Sequence, residues 1–242
     1  MKKLFALVRR NLLEIVRDPL SIVFCIAFPV VMLVFMQLFV KSIPGTPDNF
    51  QIENYAMGIC VFGYTFTSMF VAMNIASDKN SSFNKRIEVS PVSRATYLFS
   101  FVLSGLPVAL CQTLLFFAIA IPFGFPLDSR LPLAVVSLFP SALFYISVGV
   151  LLGTLCKNEK QTGPINSIIV SLASMLGGVF MPINSFTGAF KVFVDVLPFK
   201  HTVEIAGNFY GVGDGVLNLI IVLAYTALCW LITLLIEKIR VK

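Results

Sequence analysis

Long apolar windows alternate with short charged segments along the whole chain. Six windows carry no Asp, Glu, Lys or Arg, and they comprise residues 19–40, 54–77, 95–127, 131–156, 161–190 and 215–236. Each is longer than the roughly 20 residues that a helix needs to cross a hydrocarbon core of about 30 Å. Because lipid offers no partner for backbone polar groups, helices are the expected spanning elements. The pattern predicts an all-α polytopic membrane protein of one domain, residues 1–242, with six transmembrane helices at about residues 20–40, 54–76, 96–124, 132–156, 164–181 and 216–236.

A shorter amphipathic pattern precedes the first window. In residues 1–18, apolar side chains recur at helical spacing on one face, and most charged side chains occupy the other. The apolar face comprises Phe5, Val8, Leu12, Ile15 and Val16. A basic amphipathic helix of this kind is expected to lie in the membrane interface. Pro19 should separate it from the first span, because a residue before proline avoids the helical conformation.

Residues 182–210, between the fifth and sixth spans, are too polar to span a membrane and too apolar for a simple loop. Phe186, Phe190, Phe193 and Leu197 recur at helical spacing, and a second short pattern follows Pro198. We therefore expect two short re-entrant helices on the outer side, with an ordinary interfacial loop as the alternative.

Composition and charge place the chain in a membrane and orient it. The residues are 57% hydrophobic and 12% charged, and the mean hydropathy is +0.91, far from the balance of a soluble domain. Of the 18 Lys and Arg, 14 lie on the side that carries both termini. The positive-inside rule therefore predicts a multi-pass protein of the cell (inner or plasma) membrane with cytoplasmic termini. Because the net charge of +6 reflects this topology, membrane lipid is an expected partner and nucleic acid is not.

The sequence lacks the motifs of common catalytic sites. It contains no G-x-x-x-x-G-K-[ST] phosphate loop, no G-x-S-x-G and no H-E-x-x-H, and its single histidine is His201. The five cysteines lie within or at the edges of the spans and have no zinc-site spacing. We therefore expect no catalytic site, metal or cofactor in this chain. A membrane enzyme is a rival interpretation, and it would need a reactive cluster that the sequence does not show.

The middles of the spans hold neutral polar side chains but no Asp, Glu, Lys or Arg. Ion-coupled transporters usually place a charge there, so a secondary transporter is disfavoured and an external energy source is expected. Hydrogen bonding between helices is the favoured role of these polar groups, and contact with a substrate is the alternative. The candidates for a substrate pathway are Gln37, Thr67, Asn74, Gln112, Asn166 and Ser171. In the fourth window, Gly149 and Gly153 form a G-x-x-x-G pair suited to close helix contact.

A compact charged segment, residues 78–94, separates the second and third spans. Phe83 and Ile87 are four residues apart, which predicts an apolar knob on a polar helical turn, and the charges around them can orient a soluble partner. Pro91 should end this turn, and Ser93 can cap the next helix. The alternative is a solvated loop whose basic residues only set the topology.

Three stretches resemble the membrane subunit of type 2 ABC exporters, a permease family that includes small drug, antibiotic-resistance and polysaccharide exporters. The first is RRNLLEIVRDPLSIVFCIAFPVVM, which is similar to the connecting helix of the family and its Arg-Asp-Pro step. The second is NKRIEVSPVSRATYLFSFVLSGLP, with a Lys-Arg turn and a Pro-x-Ser-Arg step. The third is GGVFMPINSFTGAFKVFVDVLPFKHTVEIAGNFYGV, with two prolines about sixteen residues apart. The resemblance covers essentially the whole chain.

The resemblance implies a dimer of permease subunits, identical or different, that pairs with two separate ABC ATP-binding subunits. ATP and magnesium would be bound by those partners. The helix 1–18, with Arg10, Glu14 and Arg17, would act as a lever against the same partner. The coupling helix on the ATPase would comprise Phe83, Asn84, Lys85, Arg86, Ile87, Glu88, Val89, Ser90 and Pro91.

The resemblance favours export, and a prokaryotic membrane is expected. Neutral, aromatic-rich spans suit an amphipathic or hydrophobic substrate, such as a drug, a peptide or a lipid-linked molecule. The first outer loop, 41–53, is short, so no large outer domain is available to capture substrate. A non-transporting sensor or immunity protein on the same scaffold stays open as an alternative.

Overall fold

The computed structural model describes residues 2–42, 52–179, 187–207 and 215–240, and every regular element in them is a helix. Part of the outer segment lies outside the described residues, namely 182–186, with the predicted break at Pro182, and 208–210. Residues 43–51 lie outside them as well. The α-helices are α1 (Lys2–Arg17), α2 (Pro19–Ile22), α3 (Phe28–Ser42), α4 (Ile52–Lys79), α5 (Ser82–Glu88), α6 (Arg94–Ala120), α7 (Leu131–Ser137), α8 (Phe139–Leu155), α9 (Glu159–Leu176), α10 (Gly188–Val196), α11 (Pro198–Gly207) and α12 (Gly215–Arg240). The all-helical fold is therefore confirmed for these residues.

The break before the first membrane segment lies where Pro19 predicts it. Asp18 has extended backbone angles (φ −84°, ψ 112°), and its carboxylate accepts hydrogen bonds from the backbone N–H groups of Leu20 and Ser21. A short acidic side chain at this position satisfies N–H groups that have no partner inside the helix. One π-helical turn, Val23–Ala27, then joins α2 to α3, so Pro19–Ser42 forms one long apolar segment.

Five helical segments are long and apolar enough to cross a membrane: Pro19–Ser42, Tyr55–Lys79, Arg94–Phe123, Leu131–Leu155 and Gly215–Ile239. Each overlaps a predicted span. The remaining predicted span, 164–181, overlaps α9, which is not among the five. Since α9 begins with Glu159 and Lys160 and carries three Ser and one Asn, it is less apolar than the others. The count of six spans stays a prediction.

Helix α4 lies at the centre of the bundle and packs against α8, α9, α6 and α3. In its most apolar stretch 83% of the residues are buried, against 22% in the first and last segments. The G-x-x-x-G pair explains the close crossing of α4 and α8. A β-carbon added to Gly149 would lie 2.4 Å from the carbonyl oxygen of Ser68, and one on Gly153 would lie 2.9 Å from that of Ala72. The pair is used within the chain, between two of its own helices.

The far end of α6 closes in a short turn that ends at a glycine. A 3-10 turn, Ile121–Phe123, follows the helix, and Gly124 has a left-handed backbone (φ 108°). A residue with a β-carbon rarely adopts this conformation, so a glycine after Pro122 ends the helix at little cost.

Candidate functional site

An arginine on α1 is bound to a carboxylate on α4 at one end of the bundle. Three segments that carry basic residues, α1, α5 and residues 157–160, meet at this end, and we call it the basic end. Arg10 Nη1 and Nη2 donate to the two Asp78 oxygens, each over 2.6 Å. The Tyr97 hydroxyl on α6 donates to Asp78 Oδ2 over 2.8 Å. The Asp78 residue is 5% exposed. This Arg10–Asp78–Tyr97 clasp joins three helices through a two-pronged ion pair, which is among the strongest polar contacts in proteins.

Aromatic and amide groups extend the clasp to α5. The Arg10 guanidinium carbon lies 4.0 Å from the centre of the Phe83 ring, and the Phe83 and Tyr97 ring centres are 6.4 Å apart. A guanidinium over an aromatic face is attracted by the ring's electron density. The next residue of α1, Asn11, donates through Nδ2 to Ser100 Oγ over 2.8 Å in a buried contact. The helices α1, α4, α5 and α6 are thus held together at one point.

Electrostatics at the clasp keep Arg10 charged. Burial acts to lower the pKa of Arg10, but hydrogen bonding to Asp78 and the charges of Asp78 and Glu14 raise it above its usual value. Glu14 Oε1 lies 2.7 Å from Arg10 Nη2. Burial raises the pKa of Glu14, and the positive charge of Arg10 opposes this shift. The carboxylate of Asp78 therefore stabilises the charged form of Arg10.

The apolar side chains of α5 point toward the bundle, a direction that the sequence pattern does not define. Ile87 is 7% exposed and Phe83 is half-buried beneath Arg10. Among the exposed residues are Lys85, Arg86 and Val89, the residue after α5, which is 87% exposed. A short amphipathic helix turns its apolar face to the core when a core is available. A partner of α5 would thus meet two basic side chains and one valine among the residues whose exposure is described.

The rest of the predicted coupling segment is held by contacts with neighbouring helices. Asn84 Oδ1 accepts a hydrogen bond from Arg94 Nη1 over 2.7 Å, and Arg94 Nε lies 3.9 Å from Glu237 Oε2 on α12. Ser90 is half-buried, and its hydroxyl donates to the Ile87 carbonyl. Ser93 caps α6, accepting from Thr96 N over 3.1 Å, as predicted. Pro91 and its neighbours form the exposed turn between α5 and α6.

Helix α1 has an exposed face that carries polar residues. Its protein-facing stripe comprises Leu7, Asn11 and Ile15, of which only Ile15 belongs to the predicted apolar face, while Phe5 is 72% exposed. Arg17 is exposed, and a groove runs along this side of α1, with Glu14 and Arg17 among its lining residues. Of the three predicted lever residues, Arg10 is used inside the chain and Glu14 and Arg17 lie toward the outside.

The six candidate pathway residues differ in burial and in their hydrogen bonds. Four are buried, and each bonds a neighbouring segment: Gln37 Nε2 to the Phe123 carbonyl (2.5 Å), Thr67 Oγ1 to Gln112 Oε1 (3.4 Å), Gln112 Nε2 to the Cys60 carbonyl (3.2 Å) and Asn166 Nδ2 to the Thr65 carbonyl (3.3 Å). Asn74 is half-buried, and the exposed Ser171 donates to a carbonyl of its own helix. Most of these side chains therefore connect helices, which is the role that the sequence favoured.

The opposite end of the bundle, where α10 and α11 lie, is held by hydrogen bonds of another kind. His201 Nδ1 is 2.6 Å from Asn218 Oδ1 on α12, and its Nε2 is 2.8 Å from the Asp195 carbonyl. Ser141 Oγ on α8 donates to the Thr202 carbonyl over 2.7 Å. Lys200 pairs with Asp195, and this hydrogen bond lowers the pKa of the Asp195 carboxyl. His201 thus has a structural role, joining α10, α11 and α12.

Sequence reasoning missed two residues of the clasp, Asp78 and Tyr97. Asp78 was seen only as part of a charged segment, although it closes a charge-free window of more than twenty residues. The signal for a paired site was an acidic residue at the end of one apolar window, a tyrosine near the start of the next window and an arginine in the helix before the first window.

Comparisons with known proteins agree with this architecture. Two curated relatives carry the name "Probable doxorubicin resistance ABC transporter permease protein DrrC", from the Mycobacterium tuberculosis strains CDC 1551 / Oshkosh and ATCC 25618 / H37Rv. Each is 24% identical to this chain over 226 residues, covering 87% of this chain and 78% of the relative. Residues 2–208 match the family model described as "ABC-2 type transporter". Since that match covers most of the sequence, including α1, the clasp and α5, the chain belongs to the ABC-2 type transporter family.

Proposed function

We propose that this chain is the membrane-spanning permease subunit of an ATP-driven exporter. It would form the translocation pathway together with a second permease copy or a homologous permease. ATP and magnesium would be bound by a separate ABC ATP-binding subunit, so this chain would have no catalytic site of its own. Family membership implies a partnership with an ATP-binding subunit, and the basic end would then face the cytoplasm.

The observation that carries the proposal is the connection of α5 to α4 through the Arg10–Asp78–Tyr97 clasp. Helix α5 presents Lys85, Arg86 and Val89 outward and is held under Arg10 by Phe83. A displacement of α5 by a partner would pass through the clasp to α4, the helix on which α8 and α9 pack. Packed elements of this kind shift between discrete arrangements, which suits alternation between inward- and outward-open states.

The proposed substrate class rests on the apolar character of the spans and on the names of the relatives. The described spans expose aliphatic and aromatic side chains and contain neutral polar groups, as expected for an amphipathic or hydrophobic molecule such as a drug, a peptide or a lipid-linked compound. The names of the relatives refer to doxorubicin resistance, which fits such a substrate. Transport requires that the substrate bind differently to the two states.

The experiment reverses charge and polarity on the outward face of α5. We expect Arg86→Glu combined with Val89→Asp to release the ATP-binding subunit from the purified complex, because the partner would meet a negative charge and a buried carboxylate. The readout is the ratio of ATP-binding subunit to permease after affinity purification from membranes.

Lys238→Glu is the matched control. Lys238 is an exposed lysine on α12 at the same end of the bundle, outside the proposed docking face. An unchanged ratio in the double variant, with the chain still folded, would remove α5 from the docking face. If the wild-type chain also copurifies with no ATP-binding protein, the result would favour the sensor or immunity alternative.

A further inference from the structure

Both ring nitrogens of His201 face an oxygen atom. Nδ1 lies 2.6 Å from Asn218 Oδ1 on α12, and Nε2 lies 2.8 Å from the Asp195 carbonyl oxygen on α10. His201 is 5% exposed and Asn218 is 3% exposed, so water competes little for these contacts. A neutral imidazole carries one N–H group and can donate to only one of the two oxygens, whereas a protonated imidazole donates to both.

The orientation of the Asn218 amide decides between these two forms, because a rotated amide would donate its nitrogen to a neutral Nδ1. Asn218 Nδ2 is buried and makes no hydrogen bond of regular geometry with the residues that the structure describes. It does act on the Glu204 carboxyl, whose pKa is raised by burial and lowered in part by the charge of Lys200 and by the Asn218 amide. After rotation, the amide oxygen would take the place of Nδ2 beside this acid and be repelled by its ionised form. The surroundings therefore favour Oδ1 toward His201.

The charges around the imidazole also favour a positive ring. Lys200 pairs with Asp195 and lies 3.7 Å from Glu204, so two carboxylates share this lysine. The exposed Lys191 adds a weaker attraction to Asp195. The Asp195 carbonyl belongs to the last turn of α10, where the helix dipole attracts a cation. A protonated His201 would supply a further positive charge to this cluster.

The neighbouring elements add no charge that would oppose this. The side chains that the structure describes on α4, α8, α9 and α12 at this end are uncharged, and they include the hydroxyl groups of Ser141, Tyr145 and Tyr225. Asp128 and Arg130, which precede α7, are exposed to solvent.

We propose that His201 is a proton-binding site that controls the junction of α10, α11 and α12. With the proton bound, the ring donates to Asn218 and to the Asp195 carbonyl and so joins α12 to α10. When the proton leaves, one nitrogen keeps only a lone pair against an oxygen, and one of the two hydrogen bonds is lost. Imidazole ordinarily exchanges its proton between about pH 5 and 8. The proposal concerns the chain itself and does not depend on the proposed function.

The sign of the pH effect follows from this exchange. The proton stabilises the closed junction, so its contribution is present at mildly acidic pH and is lost as the pH rises. Glu204 would contribute with the same sign, because burial raises its pKa. The experiment must therefore separate the histidine from this acid. In an exporter, such a site would make the opening of this end depend on the pH of the compartment that it faces.

The first measurement uses the fact that the chain contains one histidine. The full chain, labelled with nitrogen-15 histidine and purified through a tag without histidine, gives the ring nitrogen signals of His201 alone. The proposal predicts hydrogen-bonded protons on both nitrogens at about pH 5.5 and on one nitrogen at about pH 8. A ring that keeps the same number of protons at both pH values would overturn the proposal.

The second measurement is hydrogen exchange of the backbone amides of α10 and α11 in detergent micelles, corrected for the intrinsic pH dependence of exchange. Exchange should be about fivefold faster at about pH 8 than at about pH 5.5, since one hydrogen bond is lost. His201→Gln should remove this difference. Glu204→Gln is the matched control, because it removes the other titrating group beside Asn218, and it should keep the difference.

The remaining outcomes also decide the question. A difference that survives in His201→Gln and disappears in Glu204→Gln would assign the proton to the acid and overturn the proposal. If His201→Gln does not fold, Asn218→Asp replaces it, since a carboxylate against Nδ1 favours the protonated ring. In that variant the change in exchange should move to higher pH by about one unit. An unshifted change would contradict the proposed site.

Discussion

At the basic end, Arg10 reaches a carboxylate 68 positions away along the chain, whereas at the opposite end His201 meets an amide only 17 positions away. The first contact is a largely buried, two-pronged ion pair with a tyrosine as its third member. The second joins a histidine to an amide, beside an ion pair between Lys200 and Asp195 that links α10 to α11. Removing one partner of the ion pair leaves a charge without compensation, while removing a neutral bond costs much less. The basic end should therefore move as a unit and the opposite end should open more readily.

This difference suits a transporter in which force enters at one end and the pathway opens at the other. The clasp joins α1, α4 and α6, Phe83 connects α5 to it, and Lys79 adds the end of α8. At the opposite end, α10 and α11 are held to α8 and α12 mainly through Ser141, His201 and Tyr225, each with a neutral partner. Elements with few strong contacts are the ones that open first in proteins.

The largest expected effect comes from neutralising the acid of the clasp. Asp78→Asn should lower the free energy of unfolding by about 3 kcal/mol, because the Arg10 guanidinium stays largely buried without its counter-ion. The measurement is reversible unfolding in mixed detergent micelles. Glu14→Gln is the control, since this carboxylate is 42% exposed and bonds one guanidinium nitrogen in the same helix, and it should change stability by only a few tenths of a kcal/mol. Equal losses in the two variants would contradict a buried clasp.

The next effect tests the helix crossing that connects the two ends. Gly149→Ala should cost about 2 kcal/mol, because the added methyl group meets backbone atoms of Ser68 that cannot move aside. Gly163→Ala in α9 is a matched control, since no atom lies within 4 Å of the added carbon and alanine favours a helix. The control should leave stability unchanged or raise it slightly. If both variants behave alike, α4 and α8 do not cross as closely as the structure has them.

The sequence predicted the positions of the helices better than the contacts that hold them together. Charge-free windows identify helices because lipid tolerates few ionised groups, and Pro19 and Ser93 mark helix ends because their effects are local. The bond between Arg10 and Asp78 depends on how three distant helices meet, which no local pattern encodes. For the same reason, the periodicity of Phe83 and Ile87 showed an apolar face on α5 but not the direction in which that face points.

The smallest effect belongs to the opposite end. Ser141→Ala should lower the free energy of unfolding by about 1 kcal/mol, because it removes one neutral hydrogen bond to the Thr202 carbonyl. Ser137→Ala serves as the control, since the Ser137 hydroxyl donates only to a carbonyl one turn back in α7. Thermal unfolding of the two purified variants compares them directly. A loss at Ser141 as large as that of Asp78→Asn would remove the distinction between the two ends.

The most direct test of the account is the composition of the complex purified in mild detergent from native membranes. The account predicts that the wild-type chain copurifies with about one ATP-binding subunit per permease, and that the variant carrying Arg86→Glu and Val89→Asp is folded but lacks this partner. A folded wild-type chain that reproducibly carries no ATP-binding subunit would contradict the proposal that this permease is driven by ATP through α5.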